Sequence, residues 1–398
     1  MKNKRIHPYV QLVLFGIITG ILVGFAQTIF YYGMELIFEF RHGKEMTLFY
    51  GLPLAGLFIV YLFQNFDIKR NFGMNLLFHV DQKKEDDIPL VMAPLMIVAT
   101  WITHFFGGSV GREGVAVQVG STIAHWLKNK TDAQIRRSTV LMTGVSAGFA
   151  GLFGTPFAAI LFALEIFHAG TVRVYGFIPV AVASFTSAGV TYCMGMRKSH
   201  FVLDSIFQWD LLSIFKLAIL GIFFGMLGWA FSTGMHKAKH AWAHVHNPYF
   251  RIFIGGTIVA ILMMATSGRY ANLGEDLIHQ AILGDQILPW DFLLKMGFTI
   301  LTLSCGFHGG EVMPLFAIGS TFGYVLAPIF GLPPHIGAAL GYCALFGAGT
   351  NTFFAPMILS VEAFGPSILI PIIIVTTISY LCNLNASIYP YQQVKKYF

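Results

Sequence analysis

Long runs of apolar residues, some continuous and some interrupted by glycine or proline, dominate this chain. The continuous runs have about the 20 residues that a helix needs to cross a bilayer; they are 9–39, 88–106, 172–195, 212–235 and 366–384. The interrupted runs are 50–64, 114–127, 139–153, 156–168, 311–330 and 354–364. Broken backbone is tolerated at membrane depth only where it is buried in protein or lines a wet cavity. The pattern therefore predicts an all-α polytopic membrane protein built around an internal site.

Composition supports this class and excludes others. Of the 398 residues, 56% are hydrophobic and only 11% are charged, which leaves too little polar surface for a soluble globule. The net charge of +6 then reflects basic loops, and we expect no nucleic-acid partner. The four cysteines stand singly in apolar stretches, so we interpret them as packing residues rather than as disulfides or metal ligands.

Basic residues flank the first and last apolar runs and one internal break. They are Lys2, Lys4 and Arg5 at the start, Lys128, Lys130, Arg136 and Arg137 in the middle, and Lys395 and Lys396 at the end. Because cytoplasmic loops are enriched in lysine and arginine, we expect both termini in the cytoplasm. The first apolar run is longer than that of a secretory signal and lacks a small-residue cleavage site, so we expect it to be retained as a helix.

The second half of the chain repeats the plan of the first. GREGV at 111–115 corresponds to GEVMP at 310–314, with an offset of 310 − 111 = 199, and AAILFALEIF at 158–167 corresponds to APMILSVEAF at 355–364. Duplicated, interrupted apolar segments are typical of ion and solute transporters. We therefore expect a single transmembrane domain, 1–398, made of two repeats at about 9–195 and 212–384, with no soluble regulatory domain.

Each glycine-rich break precedes helix-forming sequence, after Gly111, after Gly310 and in a third candidate at Gly73. Free N–H groups and the positive dipole end at such helix starts attract anions. One start contributes about 0.3–1 kcal/mol, and up to about 2 when partly buried, so several must converge to replace the water around an anion. The alternative is that these glycines only permit close helix packing.

Glu113 lies in the first break, between two apolar runs. Carboxylates at membrane depth are candidates for function. The charged form of Glu113 would compete with an anion for the same N–H groups, and its protonated form would leave them and carry a proton. The alternative is a salt bridge with the adjacent Arg112, although neighbours in sequence do not face each other on a helix.

Three other patterns admit competing interpretations. Ser109 lies in a GxSxG sequence near His104, as in serine hydrolases, but in a helix-to-helix break rather than a strand-to-helix turn. His236, His240 and His244 have a spacing that could bind zinc, although a solvated amphipathic helix end explains them without a metal. The repeated carboxylates favour helix capping over proton transfer; they are Glu165 and Glu362. We therefore expect neither an enzyme nor a metal or other cofactor.

GGSVGREGV at 107–115 resembles the GxSxGREGP signature of the CLC chloride channels and transporters, and GGEVMP at 309–314 falls where that family carries GGxFxP. The resemblance covers essentially the whole membrane body. It implies the CLC-type inverted-repeat fold with broken and tilted helices, a homodimer with one anion pathway per subunit, and Glu113 as the gating glutamate.

Four departures from the family pattern look like its fluoride/proton antiporter branch. GMNLL at 73–77 stands in place of GSGIP, Glu165 is followed by isoleucine rather than a second glutamate, Val115 replaces proline, and Glu311 is an added carboxylate. In that branch Glu311 would be the inner proton-handling group. The resemblance thus implies export of fluoride in exchange for protons across the bacterial inner (plasma) membrane, conferring fluoride resistance; the alternative is a chloride-handling CLC channel or chloride/proton exchanger.

The resemblance also implies a set of anion-binding residues. Phe78 matches one member of a phenylalanine pair that lines the path in the fluoride branch, and Asn75 stands at the other position. Met313 stands where that branch usually has threonine. An interfacial position is the alternative for the late tyrosine, Tyr389. The full set is Met74, Asn75, Phe78, Gly111, Arg112, Gly114, Val115, Val312, Met313 and Tyr389.

Overall fold

The chain is mostly helical, with one short parallel strand pair, β1 His168–Ala169 and β2 Gln393–Val394, in a computed structural model that describes residues 7–66, 73–131, 134–196, 201, 203, 210–284 and 286–394. The α-helices of this part are α1 Pro8–Arg41, α2 Glu45–Phe49, α3 Leu52–Asn65, α4 Met74–Asp81, α5 Met92–Phe105, α6 Glu113–Asn129, α7 Arg137–Phe153, α8 Pro156–Glu165, α9 Phe177–Cys193, α10 Leu211–Ala243, α11 Pro248–Ala265, α12 Glu275–Leu283, α13 Asp291–Cys305, α14 Val312–Leu326, α15 Pro334–Thr350, α16 Phe354–Phe364 and α17 Leu369–Cys382. Short 3-10 turns lie at Val174–Gly176, Ala327–Phe330 and Pro366–Ile368. The predicted all-α class is confirmed.

Among the described residues, five helical segments are long and apolar enough to cross a membrane. They are Pro8–Arg41, Val174–Cys193, Leu211–Ala243, Pro248–Ala265 and Val312–Phe330. The sequence prediction missed the fourth of these and treated the fifth as interrupted. Its run 88–106 yields only the 14-residue α5, because the chain is not helical before Met92. The fifth is continuous because Pro314 lies in the first turn of α14, where a proline removes no helical hydrogen bond.

Glycines allow the helices after the two breaks to pack with their backbones in contact. A Cβ atom on Gly120 of α6 would collide with the carbonyl of Gly144 in α7, and one on Gly319 of α14 would collide with the carbonyl of Gly341 in α15. Close approach of this kind holds membrane helices together through van der Waals contact. The packing interpretation therefore applies to Gly120 and Gly319, but Gly111 and Gly310 lie outside the helices.

One side of the molecule is defined by contacts between distant polar segments. The Gln82 side chain donates to the carbonyl of Tyr391 at 2.6 Å, and the Arg137 guanidinium lies 3.0 Å from Asp86. The C-terminal segment and the basic connection before α7 thus lie near the same loop. The terminal basic residues used in that prediction lie outside the described residues; they are Lys2, Lys4, Arg5, Lys395 and Lys396.

The two glutamates at corresponding positions of the repeated sequence each cap the helix that carries the other glutamate. Glu165, at the end of α8, accepts hydrogen bonds from the first N–H groups of α16 at 2.9–3.3 Å. Glu362, in α16, accepts from the N–H groups of Phe157 and Ala158 in α8 at 3.1 and 2.7 Å. Helix starts leave unsatisfied donors that an acceptor must bind when they are buried. Helix capping is therefore the role that the geometry gives these two carboxylates.

We predict that Glu165→Ala destabilises the protein by about 1–2 kcal/mol, because three N–H groups at the start of α16 lose their acceptor. The measurement is the apparent melting temperature of the purified protein in detergent, with Glu39→Ala on the exposed face of α1 as the control. Equal melting temperatures for the two variants would contradict a capping role.

Candidate functional site

The two glycine-rich breaks meet and pair through their backbones. The N–H of Gly111 donates to the carbonyl of Gly310 at 2.6 Å, and the N–H of Gly310 donates to the carbonyl of Gly111 at 2.7 Å. This isolated antiparallel bridge satisfies backbone groups that would otherwise be unpaired at membrane depth. It also brings the first residues of α6 and α14 together, so two helix starts converge as the sequence predicts.

Glu113, the first residue of α6, fills the space between these two helix starts. Its side chain is 1% exposed, and its Oε2 accepts hydrogen bonds from the N–H of Met313 at 3.0 Å and from the N–H of Arg112 at 3.1 Å. Its Oε1 is buried and has no hydrogen-bond partner among the described residues. The carboxylate thus occupies the N–H groups that an anion would need.

Arg112 contributes its backbone N–H to this arrangement, while its side chain points to another partner. The guanidinium forms an ion pair with Glu275 at the start of α12, at 3.1 Å. The alternative of a side-chain salt bridge between Arg112 and Glu113 is therefore wrong.

A cavity of about 250 Å³ lies on one flank of Glu113, and the third predicted helix start opens onto it. There Gly73, with φ of +47°, turns the chain into α4. Residues lining the cavity that the sequence predicted are Met74, Asn75, Gly114, Glu311 and Tyr389. Lining residues that the sequence analysis missed include Gln118, Lys239, Arg251, Ser304 and His308. We call this space the inner cavity.

Glu311 lies on the wall of the inner cavity next to the path to Glu113. Its Oε2 is 3.7 Å from the position that a Cβ on Gly114 would take, so it is adjacent to the start of α6. Its Oε1 is 3.4 Å from the Nζ of Lys239, and its side chain is 13% exposed. The two carboxylates thus lie on opposite sides of one short stretch of backbone, one at the helix starts and one in the cavity.

Aromatic rings pack beside Tyr389, which lines the inner cavity. This tyrosine is buried, and its ring centroid is 5.4 Å from that of Phe78, which in turn lies 5.3 Å from Phe167. The alternative that Tyr389 is an exposed interfacial residue is therefore wrong. Asn75 lines the cavity, but the phenylalanine that packs beside Phe78 is Phe167, which lies 89 residues further along the chain (167 − 78 = 89).

The remaining predicted residues form the apolar walls around the breaks. Val115 in α6 is fully buried, and Val312 at the start of α14 is 2% exposed. Neither side chain lines the inner cavity. Their contribution is to exclude water from the helix starts, which strengthens the interaction between N–H groups and a bound charge.

A second cavity of about 50 Å³, the outer cavity, lies on the other flank of Glu113. Its walls include Arg112 and Met313, whose N–H groups bind the Glu113 carboxylate, together with Glu275 and His279 of α12. Arg112 and Gly114, which precede and follow Glu113 in the chain, thus line different cavities.

A family model described as voltage gated chloride channel matches residues 55–384. The chain belongs to this family, the CLC proteins. A chloride/fluoride channel protein of Pseudomonas syringae pv. tomato is 34% identical, over 97% of this chain and 87% of the relative. Among solved structures, a CLC-type fluoride/proton antiporter is 41% identical with a TM-score of 0.95, over 97% of this chain and 98% of that one. A slow cyanobacterial Cl⁻/H⁺ antiporter shares the fold at 18% identity and a TM-score of 0.80, over 96% of each chain.

Membership of the CLC family agrees with the surroundings of Ser109, which do not form a hydrolase site. Ser109 Oγ lies 3.1 Å from the hydroxyl of Thr299 and accepts a hydrogen bond from the buried Lys295 at 3.0 Å. The His104 ring contacts the carbonyl of Thr100 at 2.9 Å instead. Ser109 therefore serves to anchor the signature break to α13.

The histidine run and the cysteines likewise have structural surroundings in this CLC protein. His236 Nε2 lies 2.7 Å from the carbonyl of Ser387, and the rings of His240 and His244 pack edge to face. Within the part of the chain that the structure describes, no three metal-ligating side chains converge. All four cysteines are free; Cys305 and Cys343 are buried, Cys382 is half-buried and Cys193 is exposed.

The residues that sequence reasoning missed are polar groups brought to the inner cavity by distant helices. Lys239 could have been found from the sequence, since it is a charged residue near the end of the long apolar helix α10, and intramembrane charges are rare. Gln118 could also have been found from the sequence, because it is a polar side chain only five residues after Glu113 in α6. Arg251 and His308 could not, because their approach to the cavity depends on how α11 and the second break pack.

Proposed function

We propose that this CLC protein is a secondary active transporter that exports fluoride in exchange for protons. The observation that carries the proposal is the Glu113 carboxylate, which accepts the N–H of Met313 at 3.0 Å where two broken helices converge. Support comes also from the 41% identity to a CLC-type fluoride/proton antiporter over nearly the whole of both chains.

Glu113 would act as both gate and proton carrier. As a carboxylate it occupies the N–H groups of Arg112 and Met313 and separates the two cavities. Protonation removes the charge that these donors and the positive dipole end of α14 attract. The neutral side chain then leaves, and an anion takes its place on the same donors. One proton and one anion thus exchange at a single position.

Glu311 would be the inner proton site. It lies in the inner cavity beside Gly114, one residue beyond the gate, and partly exposed to the space from which the anion enters. A proton that leaves Glu113 on this side would be accepted by the Glu311 carboxylate. The buried hydroxyl of Tyr389 and the amides of Asn75 and Gln118 add polar groups along the same wall.

Fluoride suits this site because it is small and strongly hydrated, and it exchanges water only for good donors. Backbone N–H groups supply such donors at the starts of α4, α6 and α14. Protonated Glu113 would supply an O–H donor as well. Met74, Val115, Val312 and Met313 add apolar contacts that keep water from the bound ion.

The assembly and cellular setting follow from the same proposal. The two repeats, about 9–195 and 212–384, would form one transmembrane domain with both termini cytoplasmic, and two such chains would form a dimer with one pathway per subunit. In the bacterial plasma membrane, fluoride export moves negative charge outward and proton entry moves positive charge inward. A membrane potential that is negative inside favours both movements by about 2.3 kcal/mol per charge per 100 mV. The protein would thereby confer fluoride resistance.

A second candidate function is chloride handling, either as a passive channel or as a chloride/proton exchanger. It is favoured by the relative from Pseudomonas syringae pv. tomato, which is named a chloride/fluoride channel protein and is 34% identical.

Flux from vesicles separates the two candidates. We expect purified protein in vesicles to move fluoride much faster than chloride, and an imposed proton gradient to drive fluoride against its own gradient. Passive fluoride flux that ignores the proton gradient, or faster chloride flux, would favour the channel or the chloride exchanger.

We predict that Glu113→Gln abolishes proton-coupled fluoride transport, because the amide cannot take up or release the proton. Proton movement driven by a fluoride gradient is expected to fall to the level of empty vesicles. The control is Glu39→Gln on the exposed face of α1, which should transport like the unaltered protein. Uphill fluoride transport that survives in Glu113→Gln would rule out Glu113 as the coupling group.

We predict that Glu311→Gln separates the two fluxes: fluoride still passes, because the gate is intact, but protons no longer accompany it. The measurement is the ratio of protons to fluoride ions in vesicles under a fluoride gradient. The same Glu39→Gln protein serves as the control. An unchanged ratio in Glu311→Gln would mean that this carboxylate has a structural role only.

A further inference from the structure

The inner cavity contains an excess of positive charge that the exchange described above does not use. Lys239, near the end of α10, and Arg251, in the first turn of α11, line it together with the single carboxylate of Glu311. Such a cluster of cations in a cleft with low-dielectric walls raises the local concentration of anions. The three side chains come from three separate elements, so packing of the helices creates the cluster.

Lys239 and Glu311 form an ion pair, but an anion can readily displace the carboxylate from it. The two charged atoms are 3.4 Å apart, and the Lys239 side chain is 40% exposed. Long, partly solvated ion pairs of this kind are weak because water screens them and flexible side chains lose freedom in forming them. A small anion in the cavity can therefore compete with the carboxylate for the Lys239 ammonium group.

Arg251 and Gln118 offer further donors to the same space. The Nε of Arg251 is buried and has no hydrogen-bond partner among the described residues, and the same is true of both amide atoms of Gln118. Gln118 is 1% exposed and lines the cavity. Buried polar groups are normally bonded, so unpartnered donors on one cavity wall point to a bound ion or water. Two other ionisable groups face this cavity, His308 and Tyr389.

We propose that Lys239 and Arg251 form an inner loading site for fluoride, in which fluoride takes the place of the Glu311 carboxylate beside Lys239 when that carboxylate is protonated. The proposal rests on the proposed function. A proton reaching Glu311 binds a carboxylate oxygen and removes the negative charge that holds Lys239. The ammonium group, which keeps its own protons, then pairs with fluoride. Arrival of a proton and loading of an anion are thereby linked at a second position, below the gate.

The test compares Lys239→Met with Lys237→Met, which removes an exposed lysine from the same helix turn. Initial fluoride efflux from vesicles is measured over a range of internal fluoride concentrations. We expect Lys239→Met to raise the half-saturating concentration about five-fold, the factor that corresponds to ~1 kcal/mol for two unit charges 4 Å apart in water, with little change in the maximal rate. Lys239→Arg should restore the original value, and Lys237→Met should leave it unchanged.

A fourth protein tests the competition directly. Glu311→Gln removes the carboxylate that occupies Lys239, so its half-saturating fluoride concentration is expected to fall, even though proton coupling is lost. A Lys239→Met protein with the half-saturating concentration of Lys237→Met, or a Glu311→Gln protein with a raised one, would overturn the loading site. If Lys239→Met does not give a monodisperse protein, Lys239→Gln provides the same comparison.

The loading site and the proposed function fail in different ways. Absence of proton-driven fluoride transport by the unaltered protein would refute the proposed function. Coupled transport by the unaltered protein, together with a half-saturating fluoride concentration that does not change in Lys239→Met, would refute the loading site alone.

Discussion

The pair of backbone hydrogen bonds between Gly111 and Gly310 is the constraint on which the rest of the site depends. A helix that starts inside a membrane exposes N–H groups that lipid cannot satisfy, so a broken helix persists only where another group accepts them. Here the backbone N–H and carbonyl of Gly111 and those of Gly310 bond each other. The bridge leaves the N–H groups that follow it directed at one point, and the Glu113 carboxylate lies at that point. Fold stability and anion binding therefore draw on the same donors.

Three carboxylates at helix starts show how a structural acceptor differs from one that can be displaced. Glu165 accepts from three successive N–H groups of α16, and Glu362 uses both oxygens on α8. Glu113 takes one N–H from α14 and one from its own neighbour through the same oxygen, and its other oxygen has no partner among the described residues. Each capping glutamate thus holds another helix with both of its oxygens, whereas Glu113 binds α14 through a single hydrogen bond.

The sequence predicted those features that are local or duplicated. Broken helices begin at Glu113 and Val312 as expected, because glycine patterns mark them, and the repeat indicated that both would face one site. Helix lengths were predicted less well: the run 88–106 gives a 14-residue helix, since its first four residues precede the point where the chain becomes helical. The composition of the inner cavity was largely out of reach. Lys239 and Arg251 reach it through packing of elements far apart in the chain, which no spacing rule encodes.

The charges of the two cavities differ in a way that bears on how an anion crosses. In the outer cavity Arg112 pairs closely with Glu275, at 3.1 Å, so the two charges nearly cancel. In the inner cavity, two cations face one carboxylate across a longer contact. Gradients alone fix the direction of net transport, and this asymmetry cannot change it. On the proposed function, the asymmetry would change the concentration at which each cavity fills: the inner cavity, with its surplus cation, would bind a scarce anion more strongly than the outer cavity, whose cation is paired with Glu275.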